Sequence, residues 1–325
     1  MGKLVAVGLV FLLIFAMTLI LIDEQLSVKE SEQAPDSEHE QKPQDAGTSQ
    51  TSGFVELKVD GYLVDDFWER GTDDLPVLTV AVNYVVENVG NVSADVVTVE
   101  IVLDAVYYST KTVYDLQPNS GFTDSISFSV DYDQPKTLEI EASYDNVTAY
   151  WSYAVDAELP RQPSWGMSKL FITPNEQRVQ SAYSEIMSRF GPFSRFGPFN
   201  WVAIQIWVGG SVEYVSDYDS YGVSEFWQLG KETLESRTGD CEDFAILLCS
   251  LLRADGWSAE GVYVVVGQNE AGDYNAWVKI KIPGIQIWYD IDPQQDEWYT
   301  GPGDIITLYP YTAIYNFNDQ YFIEL

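Results

Sequence analysis

Residues 4–22, LVAVGLVFLLIFAMTLILI, form an apolar run of nineteen residues with no charge inside it. At 1.5 Å per residue a helix of that length spans about 30 Å, the hydrocarbon core of a bilayer. Lys3 precedes the run and Asp23 and Glu24 follow it, so the positive-inside bias places the N-terminus in the cytoplasm and the rest outside. The run is longer than a typical signal-peptide core and lacks a clear A-x-A site, which predicts an uncleaved anchor; a cleaved signal is the alternative. No cysteine follows it, so a lipid anchor at that point is excluded. Residues 23–53 are rich in Glu, Gln, Ser, Asp and Pro with almost no large apolar side chains, the composition of a disordered stalk. The expected organisation is therefore an anchor at 1–22 and an acidic stalk at 23–53. Folding is left to residues 54–325.

Charge and histidine content narrow the chemistry. Acidic residues outnumber basic ones 50 to 17, for a formal charge of −33. Such a chain repels phosphate backbones, so nucleic acid is excluded as a partner, whereas cations or basic partners suit it. The one histidine, His39, lies in the stalk. His-based zinc sites, Ser-His-Asp triads and Cys-His dyads are therefore disfavoured in any folded part.

Residues 54–155 alternate apolar and polar side chains between turn signals. Val77, Thr79 and Ala81 lead through Tyr84–Glu87 into Asn88-Val89-Gly90-Asn91. Asp95–Leu103, a Pro118-Asn119-Ser120-Gly121 turn, Asp124–Val130 and Lys136–Tyr144 follow. Short strands rich in Val, Ile, Thr and Tyr predict an all-β antiparallel sandwich. The run VNYVVENVGNVSADVVTVEIVLDA, with the later LQPNSG turn, resembles the CARDB-type immunoglobulin-like modules of prokaryotic surface proteins. The resemblance implies a spacer or adhesion unit without chemistry of its own. The sequons at Asn91 and Asn146 fit an extracellular chain and add little.

Pro160, Pro163 and Pro174 mark 156–175 as a linker, and a helical pattern follows at Glu176–Arg189. SRFGPF at 188–193 is repeated at 194–199, and two Gly-Pro pairs predict a loop there. Trp201–Val215 reads as a helix. In the segment 226–256, Phe244, Ala245, Leu247, Leu248, Leu251 and Leu252 recur at helical spacing, with Asp240 as N-cap and Asp255-Gly256 as the stop. Cys241 thus opens a helix, where the dipole and free N–H groups favour a thiolate. Cys249 lies about 12 Å farther along the axis, too far for a disulfide within one helix. Both thiols are expected to be free.

The pattern W-Q-x-x-x-E-T-L-x-x-R-x-G-D-C-E-D-F-A-I-L-L, followed by Leu-Leu-Arg-Ala-Asp-Gly, closely resembles transglutaminase-like domains of the papain-like cysteine group. The resemblance extends through VYVVVG (262–267) and NAWVKI (275–280) to WYDIDPQ (288–294). It implies an α+β domain over 176–325, with Cys241 as nucleophile and Asp292 as the acid. The position of the family's base, a histidine in an H-A-W-V strand, holds Asn275. A carboxamide has no usable pKa and can neither hold a thiolate as an ion pair nor protonate a leaving amine, so help worth about 10²–10⁴-fold is missing. Asp292, Asp290 or Asp273 could stand in as a base, although a nearby carboxylate raises a thiol pKa by like-charge repulsion.

Trp227 and Gln228, and more weakly Trp207, are oxyanion or cleft candidates, though packing is the commoner role for such residues. Asp217, Asp219, Asp290 and Asp292 could attract Ca²⁺, but clusters of this kind arise easily in so acidic a chain, and no metal set and no cofactor is assigned. The aromatic tail ITLYPYTAIYNFNDQYFIEL is expected to supply closing strands. The sequence therefore predicts a single-pass protein of the cell membrane, held through residues 4–22, with its folded part extracellular. Its cleft would take an extracellular protein or peptide ligand as a catalytically impaired binding or scaffold module. The alternative is an active cysteine acyltransferase or amide hydrolase with an unconventional base.

Overall fold

A computed structural model describes residues 52–164, 166–190, 200–282, 288–294 and 311–325. The apolar run 4–22, the stalk with His39, and residues 191–199 of the SRFGPF duplication lie outside the described residues.

The alternation in the first half becomes seven strands: β1 (Leu57–Arg70), β2 (Pro76–Asn88), β3 (Ala94–Leu103), β4 (Val106–Leu116), β5 (Ser120–Asp131), β6 (Lys136–Tyr144) and β7 (Val147–Val155). They form two antiparallel sheets, in the orders β1-β2-β5 and β4-β3-β6-β7. Strand β2 shows the cause most clearly. Leu78, Val80, Val82, Tyr84 and Val86 are buried and the residues between them are half-exposed, as a period of two requires. They meet Val97, Val99, Ile101, Leu138 and Ile140 of the other sheet in one core. The turn after β2 is pinned by buried Asn88, whose Nδ2 donates to the carbonyls of Val92 (2.8 Å) and Leu116 (2.9 Å). Gly90 belongs there because a Cβ would sit 2.4 Å from the carbonyl of Phe54.

After a 3₁₀ turn at Met167–Phe171, the second half has five helices. These are α1 (Gln177–Phe190), α2 (Asn200–Ser211), α3 (Asp217–Tyr221), α4 (Gly230–Ser236) and α5 (Cys241–Ala254). Two-residue strands β8 (Glu213–Tyr214) and β9 (Thr238–Gly239) pair in parallel. Strands β10 (Val262–Gln268), β11 (Tyr274–Lys281), β12 (Trp288–Ile291), β13 (Thr312–Phe317) and β14 (Phe322–Glu324) form an antiparallel sheet in the order β12-β11-β10-β13-β14. The tail thus supplies closing strands, with Phe317 fully buried.

Two expectations are corrected here. Helix α2 stops at Ser211, not Val215: Gly209-Gly210 weakens its end, and the β-branched and aromatic chain beyond it joins β9. Helix α5 is buried without a break from Glu242 to Leu252, where one apolar face was expected. It is the hub of the region, with α1, α2 and α4 packed around it and β10 and β11 against it. Short α4 was not foreseen; Glu232 at its third position accepts the Leu229 N–H at 2.8 Å and so caps it.

Residues from Gly53 onward make one compact unit with two apolar cores, and Trp68 packs against both. The segment between them is fixed by charge-assisted bonds. Arg161 pairs with Glu232 (2.7 Å) and with Asp133 and lies over the Phe226 ring, 4.8 Å from its centroid. Asp74 accepts the Asn175 N–H at 2.7 Å.

Candidate functional site

Strand β9 delivers the chain to Asp240, whose extended backbone (φ −110°, ψ −154°) turns it into α5. Asp243, three residues on, reaches back to accept the Asp240 N–H (3.3 Å). It also accepts the backbone N–H of Gln228 (2.7 Å) and that residue's side-chain Nε2 (2.6 Å). This buried carboxylate clamps segment 227–229 to the start of the helix. Gly239 makes room for it, since a Cβ would stand 2.6 Å from the Asp243 Cβ.

Cys241, half-buried at the first helical position, faces a cavity of about 650 Å³. Asp240, Glu242 and Glu225 line one side of it, Asp273–Ala276 another, and Tyr214, Trp227 and Tyr315 give it aromatic walls. The Cys241 Sγ–H donates to Glu242 Oε2 at 3.1 Å, and the Ala276 N–H is directed at the sulfur. Burial pushes the thiol pKa well up, and the charges of Glu242 and Asp240 push it further. The thiolate expected from the helix N-terminus is thus outweighed, first by burial and then by the neighbouring Glu242 and Asp240. Cys249 is fully buried in the helix core, and its thiol is raised by burial too.

Asn275 lies on β11 opposite Gly267 and lines the same cavity. Its Oδ1 accepts from Gln294 Nε2 at 3.5 Å, and the Gln294 backbone N–H donates to Asp292 Oδ1 at 2.9 Å. Cys241 and Asn275 therefore share one space, and Gln294 links Asn275 to the turn that holds Asp292. Asp292 itself is buried and is not among the described residues that line the cavity.

Trp227 does line the cavity. It stacks on Phe317 (5.5 Å, 21°), and its indole N–H bonds the Glu225 carboxylate. Gln228 is buried with its amide engaged: Nε2 on Asp243 and the Thr238 carbonyl, Oε1 receiving the Ser236 hydroxyl. It positions Asp243 and has no donor to spare for an oxyanion. Trp207 is buried in the apolar core beneath the Arg237 guanidinium, away from the cavity.

A feature the sequence reading missed surrounds the cysteine. Asp217, Glu225 and Glu242 bring carboxylate oxygens within 4.8 Å of one another, as do Asp217, Asp240 and Asp243. Burial raises Asp217 to about 6, with Asp240 adding to the effect, even though Asp217 accepts the Phe226 N–H. Burial also raises Glu225 and Asp240, and holds Glu242 and Asp243 well above the carboxylate range. Like charges this close cannot all ionise, so protons are shared across the cluster. Glu242 Oε1 and Asp240 Oδ1 are buried with no N–H or hydroxyl donor, beside neighbouring carboxyls. Hard oxygen donors so gathered could also hold a divalent cation of the calcium type. Of the four aspartates weighed for calcium, only Asp217 belongs to the cluster. Asp219 is bonded to Ser216, Asp290 accepts the Trp277 indole N–H at 2.9 Å, and Asp292 caps Gln294. The available signal was the density of acids in 217–225 and 240–243, two stretches joined only by the fold.

Residues 200–293 match the model of the transglutaminase-like superfamily. No curated protein matches the chain. Among solved structures, Legionella pneumophila LapG is similar at 16% identity and a TM-score of 0.34, covering 46% of this chain and 86% of that one. A candidate cysteine protease from Cytophaga hutchinsonii is similar at 14% identity and a TM-score of 0.30, covering 79% and 83%. The CARDB domain of the PF1109 protein from Pyrococcus furiosus, solved with di-metal ions, is similar at 15% identity and a TM-score of 0.27, covering 34% and 100%. The stretch 200–293, which contains Cys241, Asn275 and Asp292, is a transglutaminase-like region.

Proposed function

We propose that this is an outward-facing protein anchored through residues 4–22, whose transglutaminase-like cleft binds a peptide or amide side chain without turning it over efficiently. One observation carries the reading. The cavity sets the Cys241 thiol against Glu242 and Asp240 and offers Asn275 where an imidazole would act. A protonated thiol is a poor nucleophile, and an amide cannot accept its proton. The β-sandwich then serves as a spacer that carries the cleft away from the membrane.

A second reading has a specific observation of its own. Glu242 Oε2 already accepts from Sγ, and the Ala276 N–H together with the start of α5 would stabilise negative charge on sulfur. A slow cysteine acyltransferase or amide hydrolase would use Glu242 as its proton acceptor once that raised carboxyl has ionised, at high pH. Incorporation of a dansylated amine into a glutamine-bearing protein, and hydrolysis of the same amide, separate the two. The binding reading predicts no Cys241-dependent product from the native chain and a gain in Asn275→His. Product that the native chain forms, and that both Cys241→Ala and Glu242→Gln abolish, would favour the enzyme.

A further inference from the structure

The Cys241 cavity does not end at Glu225. A second cavity of about 650 Å³ lies on the other side of that residue, between chain 156–161 and residues 221–226. Glu225 lines both, and the continuous stretch 156–163 walls both, through Asp156–Arg161 on one side and Gln162-Pro163 on the other. The floor of the second cavity is aromatic: Tyr221 and Phe226 stack with centroids 3.9 Å apart, and Tyr221 is exposed. Its rim is acidic, with Asp156 and Glu158. Among the described residues lining the two cavities, Arg161 is the only cation, and Glu232 and Asp133 neutralise it. At the other end, Glu242 is 4% exposed, and its Oε1, with no N–H or hydroxyl donor, lies in the carboxylate cluster beside Cys241.

We propose that the two cavities form one groove for an extended lysine- or arginine-bearing polypeptide. One cationic side chain would sit on the Asp240–Glu242 carboxylates and another over the exposed Tyr221 ring beside Glu158. Carboxylate oxygens with no N–H or hydroxyl donor gain charge-assisted bonds, the exposed Tyr221 face takes a cation, and a lining whose one cation, Arg161, is neutralised repels anionic competitors. The inference rests on the cleft being a peptide-binding site and adds to it the class of peptide and a second subsite.

The test is fluorescence anisotropy on the full chain with three labelled dodecapeptides: alternating Gly-Lys, the same peptide acetylated on every lysine, and alternating Gly-Glu. The Gly-Lys peptide is expected to bind at least about tenfold tighter than the acetylated one, and the Gly-Glu peptide not at all. Glu158→Gln and Glu225→Gln should each weaken it about threefold, while Glu139→Gln, exposed on the sandwich, should leave it unchanged. Equal binding of the lysine and acetylated peptides would overturn the proposal and leave the cleft a neutral peptide site. Weakening by Glu139→Gln as large as by Glu158→Gln would overturn it in favour of attraction by overall charge. Displacement of the Gly-Lys peptide by about 1 mM CaCl₂, lost in Glu242→Gln, would assign the carboxylates to a metal and also overturn it. Failure of all three peptides to bind would bring down the peptide-binding reading as well.

Discussion

The two halves of the folded chain bury polar groups for different ends. Between β1 and β7 the buried polar residues are Asp74 and Asn88, and each is spent on structure: one anchors the next segment and the other pins a turn. In the second half Asp217, Glu242 and Asp243 are buried together with Glu225 and Asp240 alongside, and two oxygens have no N–H or hydroxyl donor. A frame satisfies its polar groups, whereas a site leaves some of them for a ligand. Electrostatics divide the same way. In the sandwich, Lys136 and the Thr137 N–H lower Asp104, and the Ser125 N–H and Lys111 lower Asp124; around Cys241 every shifted carboxyl is raised.

That contrast can be broken most forcefully in the frame. Val99→Asp places a charge between the sheets where nothing can pair it, and should cost about 4–5 kcal/mol in urea unfolding monitored by circular dichroism. Asp243→Ala comes next. It strips the acceptor from two Gln228 donors and one backbone N–H, and should cost about 2–3 kcal/mol by the same measurement. The smallest effect sharpens the electrostatic half. A carboxyl raised by folding binds more protons in the folded state, so its contribution is present at low pH and lost as pH rises toward its folded pKa. The native chain should therefore lose stability from the unfolded carboxylate value of about 4 up to about 6, where Asp217 titrates, and lose more above that as Glu242 and Asp243 are forced to ionise. Asp217→Asn should flatten the first part of that fall in a melting-temperature series across pH. A profile that instead rises with pH would show the sandwich's lowered carboxyls in control.

How much of this was legible in the sequence follows from the range of the interactions. Alternation in residues 76–88 and the turn signals are local, so the sandwich strands could be read off directly. The Gly239-Asp240-Cys241-Glu242-Asp243 start of α5 and its Asp255-Gly256 stop are local too. The apolar run in α5 announced a buried helix, but whether one face or the whole helix is covered depends on α1, α2, α4 and two strands placed around it. The carboxylate cluster was invisible for the same reason. Asp217 and Glu242 meet only because β8 and β9 pair in parallel and bring α3 to the start of α5. Gln228 read as a donor for an oxyanion because its partner Asp243 lies fifteen residues away. The missing histidine at Asn275 was evident from the sequence; that the thiol meets carboxylates instead was not.

The central claim is that Cys241 is a shielded thiol in an acidic cleft. The pH dependence of its alkylation in the full chain tests this most directly, with Cys249→Ala throughout and Glu242→Gln and Asn275→His beside the parent. The account predicts a parent thiol that titrates above the unperturbed value of about 8.5, and a lower pKa in both variants as a negative neighbour is removed or an imidazole supplied. A parent thiol that reacts with an apparent pKa well below about 8.5 would contradict it, showing a nucleophile armed without histidine.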